Sequence, residues 1–505
     1  MRPALFLLPV FTACSSSTPF VEESADPDAG QGVADVEADD SALDAGPNPT
    51  DSGSDAGLVI TDSALASSPI AIPHEPQREG DPATGYDILV NEGYVGCGIP
   101  WSIYSVVNPW SVAPGAPQLP GRRGKNANLA YFVNAFTTTS TVEVVHPNCL
   151  HCHGAVLDGQ IVVGLGNPNA DFTQDLSNAA ELAGFLVSDP NDRREWRKWA
   201  DRVQATAPYI RTRVLGANPA DNLAAALFAH RDPESLAWSN SSLIDPPPTD
   251  PAPVDVPPWW RMKHKNAMFY TASGRGDHAR IMMTASTLCV DSEEDARKID
   301  SYFHHVRAFI ASIQPPAYPY PVEQNLAAEG RETYLVTCER CHGDPADEAG
   351  YPNLVIPLDE IGTDPALAGS AQFADRFVDW FNQSFYGETA RFEPERGYVA
   401  PPLDGIWATP PFFHNGSVPN LEGVLDSSAR PTYWTRDFTK IEIDQTALGF
   451  VFTELDHGQD AETSGASRIR NFDTTLPGYG NGGHTYGDDL TSRERSAVIE
   501  YLKTL

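Results

Sequence analysis

Two short strings of the form Cys-x-x-Cys-His constrain this chain more than anything else in it: Cys149-Leu150-His151-Cys152-His153 and Cys338-Glu339-Arg340-Cys341-His342. Two thiols at this spacing, followed at once by an imidazole, are a c-type haem attachment signature. The thiols form thioethers to the haem vinyl groups, and the histidine is delivered to one axial position of the iron. A lone Cys-x-x-Cys also serves thiol exchange or zinc. A four-thiolate zinc site would gather both pairs, yet one begins at position 149 and the other at 338, and each carries the same following His-Gly, which zinc does not demand. The fold must therefore wrap two planar macrocycles, with Cys149, Cys152, Cys338 and Cys341 as covalent anchors and His153 and His342 as proximal iron ligands. His151, inside the first string, reads as a solvent-facing loop residue.

The opening residues read as an export address. One positive charge at Arg2 precedes an apolar stretch from Ala4 to Ala13, too short to span a bilayer. Phe11-Thr12-Ala13-Cys14 resembles the bacterial lipoprotein processing box, which makes residues 1–14 a signal peptide with Cys14 as a lipid-bearing new N-terminus. From Ser15 to Ser63 there are twelve Asp or Glu and no Lys or Arg. Such a stretch cannot bury enough apolar surface to offset its chain entropy, so residues 15–79 are expected as a disordered acidic tether on a periplasmic, membrane-anchored protein. The whole chain of 505 residues carries 68 acidic and 34 basic side chains, a formal net charge of −34. That excludes nucleic-acid binding, which needs clustered Lys and Arg, and favours a basic partner over an acidic one.

Composition also shapes the fold expectation. The 39 Gly and 44 Pro favour short helices joined by long loops. The fold class expected is mainly α: two cytochrome c-type haem domains with long loop insertions. Residues 80–313 form the first, closed by a helix from Ser292 to Ile313; 314–322, with Gln314-Pro-Pro-Ala-Tyr-Pro-Tyr-Pro321, are a proline-stiffened linker; 323–505 form the second. Asn325–Tyr334 predicts a helix running into the second haem loop. Thr491-Ser-Arg-Glu494 predicts a capping box opening a final helix, with Val498, Ile499, Tyr501, Leu502 and Leu505 on one face. These two helices are expected to cross beside the haem. Of the seven cysteines, Cys97 and Cys289 remain unassigned, as a disulfide or as buried thiols.

Longer strings carry a family resemblance. They are Leu403-Asp-Gly-Ile-Trp-Ala-Thr-Pro-Pro-Phe-Phe-His-Asn-Gly-Ser-Val-Pro-Asn-Leu421, then Gly480-Asn-Gly-Gly-His-Thr-Tyr-Gly487, and Trp259-Trp-Arg-Met-Lys-His-Lys-Asn-Ala-Met-Phe-Tyr270 with Gly274-Arg-Gly-Asp-His278. With the attachment motifs, residues 80–505 resemble the di-haem cytochrome c peroxidase superfamily, including the MauG-type enzymes and, more closely, its branch of di-haem rubber oxygenases. The resemblance implies two covalently bound haem c groups with unlike roles. The first would be open to a small oxidant, peroxide or dioxygen; the second would be six-coordinate and exchange electrons with a redox partner protein or small organic substrate. It also raises a calcium ion between the domains, for which no ligand string stands in this chain.

Distal ligands decide between those roles, because an oxidant-binding iron needs a vacant position and an electron relay works best with two strong ligands. After His153 no histidine occurs until His230, and no methionine of the first domain precedes Met262. That favours an open first haem, with His230, His264, His278, His304 and His305 as residues a fold could return to it. For the second haem the candidates are His414, His457 and His484. The stretch after Leu421, through Arg430, holds neither the Met nor the Tyr that family members place there, and the rubber-oxygenase branch implies His484. His414, in a Pro-rich loop, is then expected at the haem edge. Tyr270 stands where the peroxidases carry an inter-haem Trp; it and His153 are the candidate catalytic residues, with Trp259, Trp260 and Trp407 as further aromatics. Arg275, Arg280 and Lys265 are candidates for haem propionates, His230 and Glu234 for distal polar groups, and Met282, Met283 and Ala285 for an apolar pocket lining. The expected function is that of a haem oxidoreductase of peroxidase or MauG type. The alternatives are a non-catalytic electron carrier and a rubber-oxygenase-like dioxygenase, the latter disfavoured because a tethered lipoprotein meets an insoluble polymer poorly.

Overall fold

The computed structural model describes residues 68–505 except 108–111, 113–114, 176, 178–183, 348–349 and 371–374; the signal-peptide and lipid expectations at residues 1–14 lie outside the described residues. Each half of the chain is organised by one helix pair that meets at a glycine. In the later half, helix Gln324–Thr337 begins on the Glu323 side chain, which accepts from the Asn325 and Leu326 amides. Its partner, helix Ser492–Leu502, opens on the Thr491–Glu494 capping box that the sequence spacing predicts. Gly330 lies at their crossing, so close that a Cβ there would sit 1.8 Å from the Ala497 carbonyl oxygen. In the earlier half, helix Pro82–Asn91 is capped by Asp81, and helix Glu293–Ser312 by Ser292. Gly85 repeats the contact, with a Cβ that would sit 1.9 Å from the His305 carbonyl oxygen. An aromatic pair seals each crossing: Tyr334 on Tyr501 and Tyr86 on Phe309, both with ring centroids 5.2 Å apart. The second aromatic stands four residues beyond the contacted carbonyl in both halves, one helical turn along the same face.

Between the crossings run long loops and six small antiparallel sheets among the described residues. Strand Glu143–Pro147 is flanked by Ile99–Pro100 and Val133–Thr137 and leads directly into the first Cys-x-x-Cys-His string. Tyr433–Arg436 is flanked by Phe452–Glu454 and Phe472–Asp473 in the later half. Other pairings interlock the two halves. Gly274–Gly276 pairs with Ala390–Phe392. The first core, around Leu89, Val133, Val145 and Phe303, takes in Phe377, Trp380, Phe381 and Tyr386 from the later half. The second core, around Tyr334, Leu448 and Val498, takes in Ala155, Leu157 and Trp260 from the earlier half. The division at residues 314–322 thus separates the two helix crossings while packing runs across it, and Trp407 Nε1 donates to the Pro316 carbonyl at 2.8 Å.

One boundary is corrected. The tether expected to run to residue 79 is ordered from its last decade onward. Ile70–Ala71 pairs with Leu354 and Val355, Gln77 Nε2 donates to the Gly276 carbonyl at 2.8 Å, and Arg78 bridges Asp277 and Asp300 at 2.7 Å each. The cause is the composition change to Pro69-Ile-Ala-Ile72, which gives the chain apolar side chains to bury; Ile72 is 4% exposed. Among the described residues no helix is long and apolar enough to cross a membrane.

Cys97 and Cys289 form a disulfide, with 5.4 Å between their Cα atoms and 192 residues between them in sequence. Closing so long a loop lowers the entropy of the unfolded chain. We expect the C97A/C289A double variant to lose about 2–5 kcal/mol of stability in denaturant titrations; an unchanged transition midpoint would contradict that role.

Candidate haem sites

The second string folds as the C-terminus of helix Gln324–Thr337 and the turn after it. Cys338 caps that helix and is followed by helix Glu339–His342. The Cys341 and His342 amides donate back to the Cys338 carbonyl at 3.2 and 3.0 Å. The turn ends at Gly343, φ +77°, where a Cβ would meet the Gly350 carbonyl oxygen at 2.8 Å. This tight turn sets Cys338, Cys341 and His342 together on one wall of a cavity of about 1370 Å³, measured with its mouth. Ile406, Phe412, Leu421, Leu425 and Leu502 supply apolar walls.

Across this cavity from His342 stands His484. Their ring centroids are 6.3 Å apart. Two metal–imidazole bonds of about 2.0–2.1 Å, with about 1.1 Å from each nitrogen to its ring centre, span roughly 6.2 Å. The pair is therefore spaced to hold one iron from both sides. His342 Nδ1 lies 2.7 Å from the Pro401 carbonyl oxygen. A carbonyl only accepts, so Nδ1 carries the proton and Nε2 keeps its lone pair for a metal. Burial pushes the His342 imidazole below its usual range, and burial together with His342 brings His484 down to about 4. Both are neutral near pH 7, the state a metal takes.

The first string forms a 3-10 turn, Cys149–His151, capped by the Asn148 side chain. The Tyr94 hydroxyl accepts from the Cys149 amide at 2.9 Å, and Asn218 Nδ2 reaches Cys152 Sγ at 3.3 Å. Among the described residues the four cysteines of the two strings take no part in a disulfide. His153 differs from His342 in its neighbour: the ring stacked on it is that of Trp259, at 4.8 Å and 23°, rather than a second imidazole. Burial pushes His153 down to about 4 against the backbone of Pro257.

The other sequence candidates fall into place around these two turns. Tyr270 lines the second cavity, its hydroxyl 3.5 Å from Asp255 Oδ2. His414 lines it too, but its ring stacks on Tyr398 at 3.9 Å and 17°. His457 sits outside, bonded to Asp456 and Glu462. Of the histidines weighed for the first haem, His230 Nδ1 lies 2.9 Å from the Ser239 carbonyl, His264 faces Asp404 at 3.8 Å, His304 and His305 pack on each other, and His278 is buried. Glu234 and Ala285 are exposed; Met283 is fully buried in the first core, with Met282 packed against it. Arg275 bonds the Ala272 carbonyl and pairs with Glu395, and Arg280 pairs with Asp300 and Glu388, so carboxylates of the chain already engage both. Lys265 is pushed down to about 8 by burial and by Arg261. His151 is corrected: it packs between Phe132 and Phe172 at 5.6 and 5.9 Å instead of facing solvent, because the residue before strand Val133–Thr137 and the loop that follows the motif each bring an aromatic ring against it. Among the described residues no group of three or more His, Cys, Asp or Glu is gathered to hold a metal ion, so calcium has no acidic cluster behind it there.

Arg261 is the residue that sequence reading passed over. It is 6% exposed, lines the second cavity, and donates to the Asp404 carbonyl at 3.0 Å and to Thr409 Oγ1 at 3.3 Å. The nearby Asp255 carboxyl is pushed well up by burial, with Arg261 opposing. A guanidinium in such a wall suits a haem carboxylate. Its only sequence signal was its place after Trp259-Trp260.

Residues 397–435 match the family model described as RoxA-like, cytochrome c-like. The segment supports a haem cytochrome of the RoxA branch, and with it haem c as cofactor. It contains the Leu403–Leu421 string, and its Pro401 carbonyl orients His342. Two proteins of Sinorhizobium fredii (strain NBRC 101917 / NGR234) are similar as well. Uncharacterized protein y4iJ is 31% identical over 261 residues, covering 38% of this chain and 41% of its own length. Uncharacterized protein y4iM is 27% identical over 320 residues, covering 54% of this chain and 69% of its own. The chain thus spans about two fifths of the length of y4iJ.

Proposed function

We propose that the protein is an exported di-haem c-type cytochrome working as a haem oxidoreductase. His153 would hold a first haem, which would supply chemistry with peroxide or dioxygen; His342 and His484 would hold a second, which would supply electron exchange with a partner protein or small organic substrate. The observation that carries this reading is the contrast between the two proximal histidines: His342 has a second imidazole at ligand spacing, whereas among the described residues no second imidazole packs against His153, whose ring is stacked on the Trp259 indole. Bound haem c supplies a reversible one-electron iron and, where a position is open, a seat for a small oxidant.

The chain's own residues do the rest. The Pro401 carbonyl fixes the tautomer and direction of His342. The run Trp259-Trp260-Arg261 reaches from the His153 ring to the second cavity: Trp259 stacks on His153, Trp260 is buried with Nε1 on the Asp404 carbonyl, and Arg261 lines the cavity wall. Such a buried, hydrogen-bonded bridge supports electron transfer between the sites. Tyr270 is a second aromatic station; burial and the Asp255 carboxyl push its phenol well up, so at neutral pH it stays protonated. The periplasmic, lipid-anchored setting belongs to the same proposal and rests on residues 1–14.

Carbon monoxide titration of the reduced protein, loaded with two haems per chain, tests the reading. One equivalent should bind. None would leave a pure electron carrier, and two would remove His484 as a ligand.

A further inference from the structure

We propose that Arg430 is the positioning residue that holds His484 in reach of the second iron; the inference rests on the reading of His484 as distal ligand. His484 is not on a helix or strand but in a loop, with φ of +47°. A non-glycine residue keeps that backbone conformation only where its surroundings hold it. Arg430 donates to the loop's backbone at three places: Nη1 to the Asn481 and Gly483 carbonyls, both at 2.7 Å, and Nη2 to the His484 carbonyl at 3.1 Å. Nε donates to the Gly423 carbonyl at 2.7 Å, so the fork ties the loop to helix Leu421–Leu425, which itself lines the cavity. The guanidinium also lies 5.0 Å from the Phe413 ring, and Phe413 packs against His484 at 5.7 Å.

Other groups each hold a single point of this loop, including Asn415 Nδ2, which donates to the Gly480 carbonyl at 2.9 Å, and Asp364 Oδ2, which accepts from the Gly480 amide at 3.0 Å. The His484 amide donates to the Ile361 carbonyl at 2.7 Å, Asn481 Nδ2 to the Pro431 carbonyl at 2.9 Å, and Gly483 lies against Gly362. None of these reads three loop carbonyls at once. Only a planar guanidinium offers donors at fixed angles for such a set; a lysine ammonium reaches one or two. In this chain the stretch between Leu421 and Arg430 brings no iron ligand of its own; it brings the arginine that aims one from elsewhere.

The test compares Arg430→Lys, Arg430→Gln and His484→Ala in the holoprotein, each verified for two haems per chain. Electron paramagnetic resonance reads the spin state of the second haem, and carbon monoxide titration reads its open fraction. Arg430→Gln should show a mixed high-spin and low-spin second haem and about a tenfold gain in apparent carbon monoxide affinity there, as the ligand-off population rises. Arg430→Lys should fall between it and the unaltered protein, and the signal of the first haem should not move. A purely structural role would lower the melting temperature while leaving the spin state and carbon monoxide affinity unchanged, and that result overturns the proposal. If His484→Ala also leaves the low-spin signal intact, the ligand reading itself has failed and the role of Arg430 falls with it.

Discussion

Replacing His484 with alanine should convert the second haem from low-spin to high-spin and raise carbon monoxide binding from one to two equivalents per chain. The effect is large because a coordination bond is lost. His414, the other cavity histidine, is locked flat against Tyr398, whose hydroxyl donates to the Asp364 carbonyl at 2.7 Å. His414→Ala is accordingly the control: it enlarges the cavity and leaves the low-spin signal in place. A low-spin second haem surviving in His484→Ala, or lost in His414→Ala, would reverse the assignment.

Substituting alanine for Gly330 should cost about 3 kcal/mol or more, because the added methyl overlaps backbone that cannot move alone. Its Cβ would fall 1.8 Å from the Ala497 carbonyl oxygen and 2.9 Å from the Val498 nitrogen. The two helices must separate, and Tyr334 and Tyr501 lose their contact. Because helix Gln324–Thr337 delivers Cys338, the variant should also accumulate with less haem in the later half. Gly85→Ala should do the same to the first half, where the Cβ meets the His305 oxygen at 1.9 Å. Gly465→Ala, with open space around its Cβ, serves as the neutral comparison. Unfolding transitions followed by absorbance and by circular dichroism check the ranking; a Gly330→Ala protein as stable as the Gly465→Ala protein would contradict the helix-crossing description.

What the sequence made legible was local. The attachment strings, the helix ahead of Cys338 and the Thr491–Glu494 capping box each rest on residues within one or two turns of one another, so spacing alone exposes them. Cys97 and Cys289 were left open in the sequence, as a disulfide or as buried thiols, and only the fold brings their Cα atoms to 5.4 Å. Contacts that join distant chain segments stayed hidden. Nothing in Ile70–Ala71 announces a strand partner at Leu354–Val355, and nothing in Phe377 or Trp380 assigns them to the first core. Trp259 and Tyr270 were both visible as aromatics, yet only the fold sets Trp259 on the His153 ring and Tyr270 in the wall of the second cavity. Arg261 and Arg430 were illegible for the same reason. All but one of their hydrogen-bond partners named above, Thr409 Oγ1 being the other, are backbone carbonyls, which carry no residue-specific mark in a sequence.

The unlike coordination of the two irons is the claim on which the function rests, and low-temperature electron paramagnetic resonance of the ferric holoprotein reads it directly. One high-spin and one low-spin signal of equal weight should appear, the low-spin one disappearing in His484→Ala. Two low-spin signals that persist after partial reduction would mean that both irons are closed, leaving an electron carrier without an oxidant site.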